Sequence, residues 1–282
     1  MGHDGCGRCR DARELDIVFS FAFQPIFDIR ALAPFAYEAL ARGPNGEPAA
    51  SVLAQVDDSN RYAFDQAARV RAVELAAALM PGDSGPLLSV NIMPNAVYDP
   101  LRCLRTTLEA ARRTSFPHAR LMFEATEHER IVDTGRLRKI VRHYSAVGFT
   151  TALDDFGSGY AGLSLLIDLK PHILKLDRAL VRDIDTDSRR KSIVAAIIRL
   201  ARELEIEIIG EGVETVGEFN VLADLGVKLF QGYLFARPAF EQLPEITEEA
   251  AEAVRAHRER RGCGKVVSIP TGASLGPSPL TA

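Results

Sequence analysis

Glu38, Asn91, Glu124, Asp154, Asp155 and Glu211 offer this sequence most of its chemistry, and all are oxygen donors. Five of them end short apolar runs: Asn91 closes SVN, Glu124 closes LMFE, Asp154 and Asp155 close ALDD, and Glu211 closes IIGE. Lys175 lies within LKLD, and Gln231 follows KLF. If those runs are strands whose ends share one face, their carboxylates converge, and convergent carboxylates repel unless cations sit among them. With no His or Cys in the set, it suits hard Mg²⁺ or Mn²⁺ rather than a structural zinc. Two such ions roughly 3.5 to 4 Å apart can ionise a water and stabilise the leaving oxygen of a phosphodiester. An all-oxygen set with one lysine therefore points to phosphate chemistry. Singly, each acid has a plainer reading, because an acid after a strand commonly caps the next helix. The set is harder to dismiss than its members, although enolase-like and aldolase-like barrels also gather acids and a lysine at strand ends. Motif identity has to separate them.

The elements that would position these groups alternate. PLLSVNIM, ARLMFEAT, FTTALDD, HILKLD, EIEIIGEG and VKLFQGYLF are short, apolar and rich in β-formers, as strands are. RYAFDQAARVRAVELAAALM, GRLRKIVRHYSAVG, RRKSIVAAIIRLAREL and TVGEFNVLADLG carry apolar residues at three-to-four spacing, as helices do. Strands apolar nearly throughout belong under a layer of helices, and the length suits a closed β/α barrel, whose strand ends form one face.

The chain has 282 residues, 47% of them hydrophobic, enough for a sizeable core. A net charge of −4 without a long basic run argues against direct nucleic-acid binding. No apolar run reaches the roughly eighteen residues of a membrane span, and the first residues lack the apolar stretch of a secretory signal. A cytoplasmic protein without a membrane segment is the expectation. Cys6, Cys9, Cys103 and Cys263 are too scattered for a disulfide framework. Cys103 reads as a buried or half-buried thiol, and the Cys6–Cys9 pair with His3 as incidental in preference to a metal or redox handle. Residues 1–14 and 251–282 read as tails around a folded unit at 15–250.

FQPIFD (Phe23 to Asp28), YEALAR (Tyr37 to Arg42), SVNIMP (Ser89 to Pro94), FEATE (Phe123 to Glu127), ALDDFGSGY (Ala152 to Tyr160), LKLDR (Leu174 to Arg178), EGVET (Glu211 to Thr215) and QGYLFARP (Gln231 to Pro238) follow one another in register. Together they resemble the signatures of the EAL family of cyclic di-GMP phosphodiesterases. The resemblance implies a modified (β/α)₈ barrel whose first strand runs antiparallel to its neighbours, and hydrolysis of cyclic di-GMP to the linear dinucleotide pGpG with two Mg²⁺ or Mn²⁺ ions. By the same resemblance, Glu38, Asn91, Glu124 and Asp154 hold one ion, and Asp154, Asp155 and Glu211 hold or flank the other. Lys175 binds the water or phosphate side, with Asp177 orienting it, and Arg42 grips a substrate phosphate, for which a guanidinium fork is suited. Gln24 and Pro238 lie near the guanine bases. Gln231 and Glu214 act through water, a cap or surface role remaining open for Glu214. Glu127 pins the loop after the paired aspartates, and the family implies a homodimer.

The chain departs from the family pattern at Ser158, where Thr is usual, and at Ala161 and Gly162, where serines are usual. GPNGEP follows Arg42 in place of a tryptophan, and the chain contains none. Slower or dimer-dependent turnover and altered substrate contacts are the expected consequences. A regulatory protein acting in trans is an expected partner. The rival readings are a catalytically silent cyclic di-GMP receptor, a barrel serving only as a protein-binding scaffold, and an unrelated metal barrel for another phosphodiester.

Overall fold

The computed structural model describes residues 15–93, 96, 100–126, 134–158 and 162–262. The strands are β1 (Ser20–Asp28), β2 (Ala33–Arg42), β3 (Leu87–Ile92), β4 (Leu121–Thr126), β5 (Thr150–Phe156), β6 (Ile173–Leu176), β7 (Glu207–Gly210), β8 (Leu229–Phe230) and β9 (Ala239–Phe240). They run β2-β3-β4-β5-β6-β7-β8-β1-β9, and a further β1–β2 pairing closes the first eight into a barrel. Strands β2 to β8 pair in parallel, whereas β1 is antiparallel to both β2 and β8. The expected barrel with one reversed strand is therefore the observed fold. A closed barrel leaves its strands without free edges.

Around it lie α1 (Ala49–Leu53), α2 (Arg61–Leu79), α3 (Pro100–Arg113), α4 (Thr134–Val147), α5 (Gly162–Leu169), α6 (Arg178–Val181), α7 (Ser188–Glu203), α8 (Val216–Leu225) and α9 (Glu248–Arg260). Helix α8 opens with a capping box between Thr215 and Glu218 and ends on Gly226 at φ +102°. Both are favoured helix punctuation.

Helix α9 corrects the boundary at residue 250. Thr247 caps it, and Ala250, Ala251, Ala253, Val254 and His257 bury one face. That face is built mostly of alanine between Glu and Arg, so the sequence has the composition of a charged tail while still packing a helix. Cys103 is buried, as expected. His3, Cys6, Cys9, Cys263, Pro94, Glu127, Gly159, Tyr160 and Ala161 lie outside the described residues.

Inside the barrel the side chains form layers. Ile26, Ala36, Met122, Ala152, Ile173, Ile209 and Leu229 make one apolar cluster, with Leu87 packed against it, so β1 to β8 contribute one residue each. Successive strand residues face opposite sides, so the next inward position lies two residues on, or two back on the reversed β1. Those positions are Gln24, Glu38, Ser89, Glu124, Asp154, Lys175, Glu211 and Gln231. An apolar floor thus carries a polar ring to which every strand of the barrel contributes.

Candidate active site at the barrel mouth

Lys175 stands at the centre of the ring and is fully buried. Its Nζ lies 2.8 Å from Glu124 Oε2, 3.0 Å from Glu38 Oε2, 3.0 Å from Asp154 Oδ1 and 3.6 Å from Glu211 Oε2. Burial alone would pull the ammonium pKa down, but Asp154, Glu124, Glu211 and Glu38 outweigh it and hold Lys175 well above the usual lysine value. Burial, reinforced by Glu38, pushes the Glu124 carboxyl up to about 8. Burial likewise raises Glu211 well above the carboxylate range. Acids that cling to protons beside a lysine that keeps its own mark a cluster with too little positive charge.

β3 sends one donor to each neighbouring strand. Asn91 Nδ2 donates to Glu38 Oε1 at 2.9 Å, and Ser89 Oγ donates to Glu124 Oε1 at 2.5 Å. Gln231 Nε2 donates to Glu38 Oε2 at 2.7 Å and to Gln24 Oε1 at 3.2 Å, while Gln24 Nε2 donates to Ala236 O at 2.9 Å. Glu38 is therefore held from β3, β6 and β8 at once.

The paired aspartates owe their placement to a bulge. Leu153 pairs with Leu174 and Phe156 with Leu176, so Asp154 and Asp155 together stand against the single residue Lys175. Asp155 takes φ +58°, a left-handed conformation rare for a residue with a side chain. Its N–H is 2.9 Å from Asp154 Oδ1. Ser158 closes the following turn, its Oγ donating to Asp155 O at 2.8 Å.

Two carboxylate triads result: Glu38, Glu124 and Asp154, and Asp154, Asp155 and Glu211, each with ligand atoms within 4.8 Å of one another. Asp154 belongs to both. With all five ionised, the carboxylates would exceed the Lys175 ammonium by four negative charges, the number two divalent cations would neutralise. Asn91 Oδ1 is buried without a hydrogen-bond partner, and Glu211 Oε2 likewise accepts no hydrogen bond, its contact with Lys175 being a 3.6 Å ion pair. Buried polar atoms are normally satisfied, and orphaned oxygens beside an acidic cluster are what a hard cation would take. The donor set fits Mg²⁺ or Mn²⁺.

The remaining expected site residues sit at the rim with other partners. Arg42, at the end of β2, donates to Ala41 O at 2.7 Å. Asp177 caps α6, its Oδ1 accepting from Ala179 N at 2.7 Å. Glu214, in the loop after β7, pairs with Arg178 at the start of α6. Pro238 is half-buried just before β9.

Ser89 escaped sequence reasoning, although alternation counted back from Asn91 marks it as inward-facing. So did the anchor of the backbone just beyond Asn91. Asp65 on α2 accepts from Met93 N at 3.1 Å and pairs at 2.8 Å with Arg69, both acid and base being buried.

A family profile described as EAL domain matches residues 9–238. The chain belongs to the EAL domain family. A standalone EAL protein from Vibrio cholerae O395, in its c-di-GMP-bound form, superposes on this EAL domain with a TM-score of 0.80 and 49% identity, over 84% of this chain and 99% of its own. Klebsiella pneumoniae BlrP1, in a manganese/cy-diGMP complex, superposes with a TM-score of 0.76 and 33% identity, over 83% of this chain and 60% of its own. The blue light- and temperature-regulated antirepressor BluF of Escherichia coli (strain K12) is 30% identical over 226 residues, 80% of this chain and 56% of its own. The EAL chain spans about half or less of the length of the leading curated relatives. No helix among the described residues is long and apolar enough to cross a membrane.

Proposed function

We propose that this EAL domain hydrolyses one phosphodiester bond of cyclic di-GMP to give linear pGpG. The observation that carries the reading is the pair of carboxylate triads sharing Asp154 around Lys175. Glu38, Asn91, Glu124 and Asp154 would hold one Mg²⁺ or Mn²⁺, and Asp154, Asp155 and Glu211 the other. When bound, such a pair supplies Lewis acidity, lowering the pKa of water and offsetting charge on the phosphate.

The protein's own groups do the rest. Lys175 holds the water and phosphate at the centre of the cluster, where its ammonium favours the ionised water. Glu38, Asp155 and Glu211 keep that centre acidic and aligned. Water adds its oxygen to phosphorus and gives up a proton, the bond from phosphorus to the 3′-oxygen breaks, and that oxygen leaves as a hydroxyl carrying the proton the water released. Arg42 turns its guanidinium from Ala41 O to a phosphate of the substrate, and Gln24 and Pro238 flank the bases. Gln231 and Glu214 act through water, and Ser158 orders the turn after Asp155. The protein works as a cytoplasmic homodimer under a regulatory partner.

A second reading has one observation behind it. BluF is named a regulated antirepressor, a regulatory role. In that reading the barrel binds cyclic di-GMP and signals by protein contact.

Incubating the protein and Glu38→Ala with cyclic di-GMP and Mg²⁺ or Mn²⁺, and following products by chromatography, separates the two. Linear dinucleotide from wild type alone supports the hydrolase. Binding without product in either metal favours the receptor, and no binding removes both.

A further inference from the structure

We propose that Ser89 is a positioning residue for the cation site, fixing the Glu124 carboxylate from the side opposite Lys175; the inference rests on the metal reading above. Seven members of the polar ring are absorbed by that reading, and Ser89 is the eighth. It is fully buried, so its hydroxyl must find a partner within the protein. The partner is Glu124 Oε1, at 2.5 Å.

A filler would need no hydroxyl there. The apolar layer below already contains Ala36 and Ala152, so a small apolar side chain is tolerated at this girth of the barrel. The hydroxyl also stands where two acids meet: Ser89 pairs in register with Glu38 on β2 and hydrogen-bonds Glu124 on β4.

Glu124 is tied at both oxygens by donors of different kinds. Oε2 faces the Lys175 ammonium at 2.8 Å, and Oε1 faces the neutral Ser89 hydroxyl. An ammonium and a divalent cation are alternative neutralisers of the same oxygens, so the Lys175 contact competes with a cation. A neutral hydroxyl brings no charge to that contest. It holds the carboxylate in one orientation whichever cation neutralises it, and without it Glu124 is free to turn further onto Lys175. Groups that orient a metal ligand in this way typically contribute about 10–100-fold to metal affinity.

The test titrates the metal-stripped 282-residue chain as wild type, Ser89→Ala, Ser89→Thr and Ser89→Cys with Mn²⁺ by calorimetry at fixed pH without nucleotide, with thermal unfolding of each. Ser89→Ala should weaken Mn²⁺ binding by about 10–100-fold while remaining folded. Ser89→Thr, which keeps the hydroxyl, should stay within about threefold of wild type. Should the alanine variant fail to fold, Ser89→Cys, of similar size but a weak donor, carries the comparison and should also bind weakly. Wild-type affinity in Ser89→Ala, or in Ser89→Cys in its place, overturns the assignment, as does a threonine variant as weak as alanine. Wild type that binds no Mn²⁺ overturns the metal reading itself, a result distinct from the other two.

Discussion

Asp155 follows Asp154 directly in sequence and yet delivers its carboxylate to the same side of the barrel. In a regular strand the two would point to opposite faces. The extra residue on β5 opposite Lys175, with the left-handed turn at Asp155, lets one strand serve both carboxylate triads.

Asp155→Asn and Asp155→Val should therefore separate charge from backbone. Asparagine tolerates the left-handed conformation, so its variant should unfold in urea within about 0.5 kcal/mol of wild type while losing at least about tenfold in hydrolysis. Valine in that conformation should add roughly 1–2 kcal/mol of destabilisation. Equal stability of the two variants would remove strain from the account of the bulge.

Lys175→Met keeps most of the side-chain volume but leaves buried carboxylates facing one another. Removing one partner from a buried charge cluster costs about 3–5 kcal/mol. Thermal unfolding should show that loss, and Mn²⁺ should raise the midpoint of the variant more than that of wild type, because it replaces missing positive charge. Hydrolysis should fall even in the Mn²⁺-stabilised variant. A variant as stable as wild type would mean that Lys175 does not hold the acids together.

His257 gives the protein a pH dependence away from the acids of the mouth. The ring is buried on α9 against the edge of Phe219, and burial lowers its pKa from 6.5, with Arg260 and Arg261 adding to the effect and Asp224 opposing it. The folded state therefore releases this proton more readily than the unfolded chain. This contribution is complete above the unfolded value of 6.5 and is lost as pH falls through the lower folded value. Urea unfolding at about pH 5.5 and about pH 7.5 should show a smaller stability difference for His257→Phe than for wild type. An unchanged difference would assign the pH dependence to other groups.

The strand ends disclosed much of this site because polarity changes abruptly there. Glu124, Asp154, Lys175 and Glu211 each close or nearly close an apolar run, and the structure gathers them. What a local pattern could not supply was the partner on another strand: Ser89 and Glu124 are 35 residues apart in sequence, and Lys175 and Glu38 are 137 apart. The reversed β1 left little periodic signal, since all nine residues of SFAFQPIFD are buried and polar Gln24 sits among them. Asp177 follows β6 like a site residue, and the structure adds that its Oδ1 caps α6.

The reversal of β1 also decides where the barrel's two connections to the rest of the chain emerge. Ser20, where β1 begins, pairs with Arg42 at the carboxylate-bearing rim, and Ile17 packs with Met93 just beyond Asn91. At the other terminus, Arg258 of α9 donates to Ile29 O and Arg30 O, beneath the far end of β1. An upstream attachment therefore joins the barrel at its reactive rim, and a downstream one at its base. A domain fused before Leu15 would approach the barrel from the end that carries the carboxylate cluster, whereas one fused after Gly262 would approach it from the opposite end.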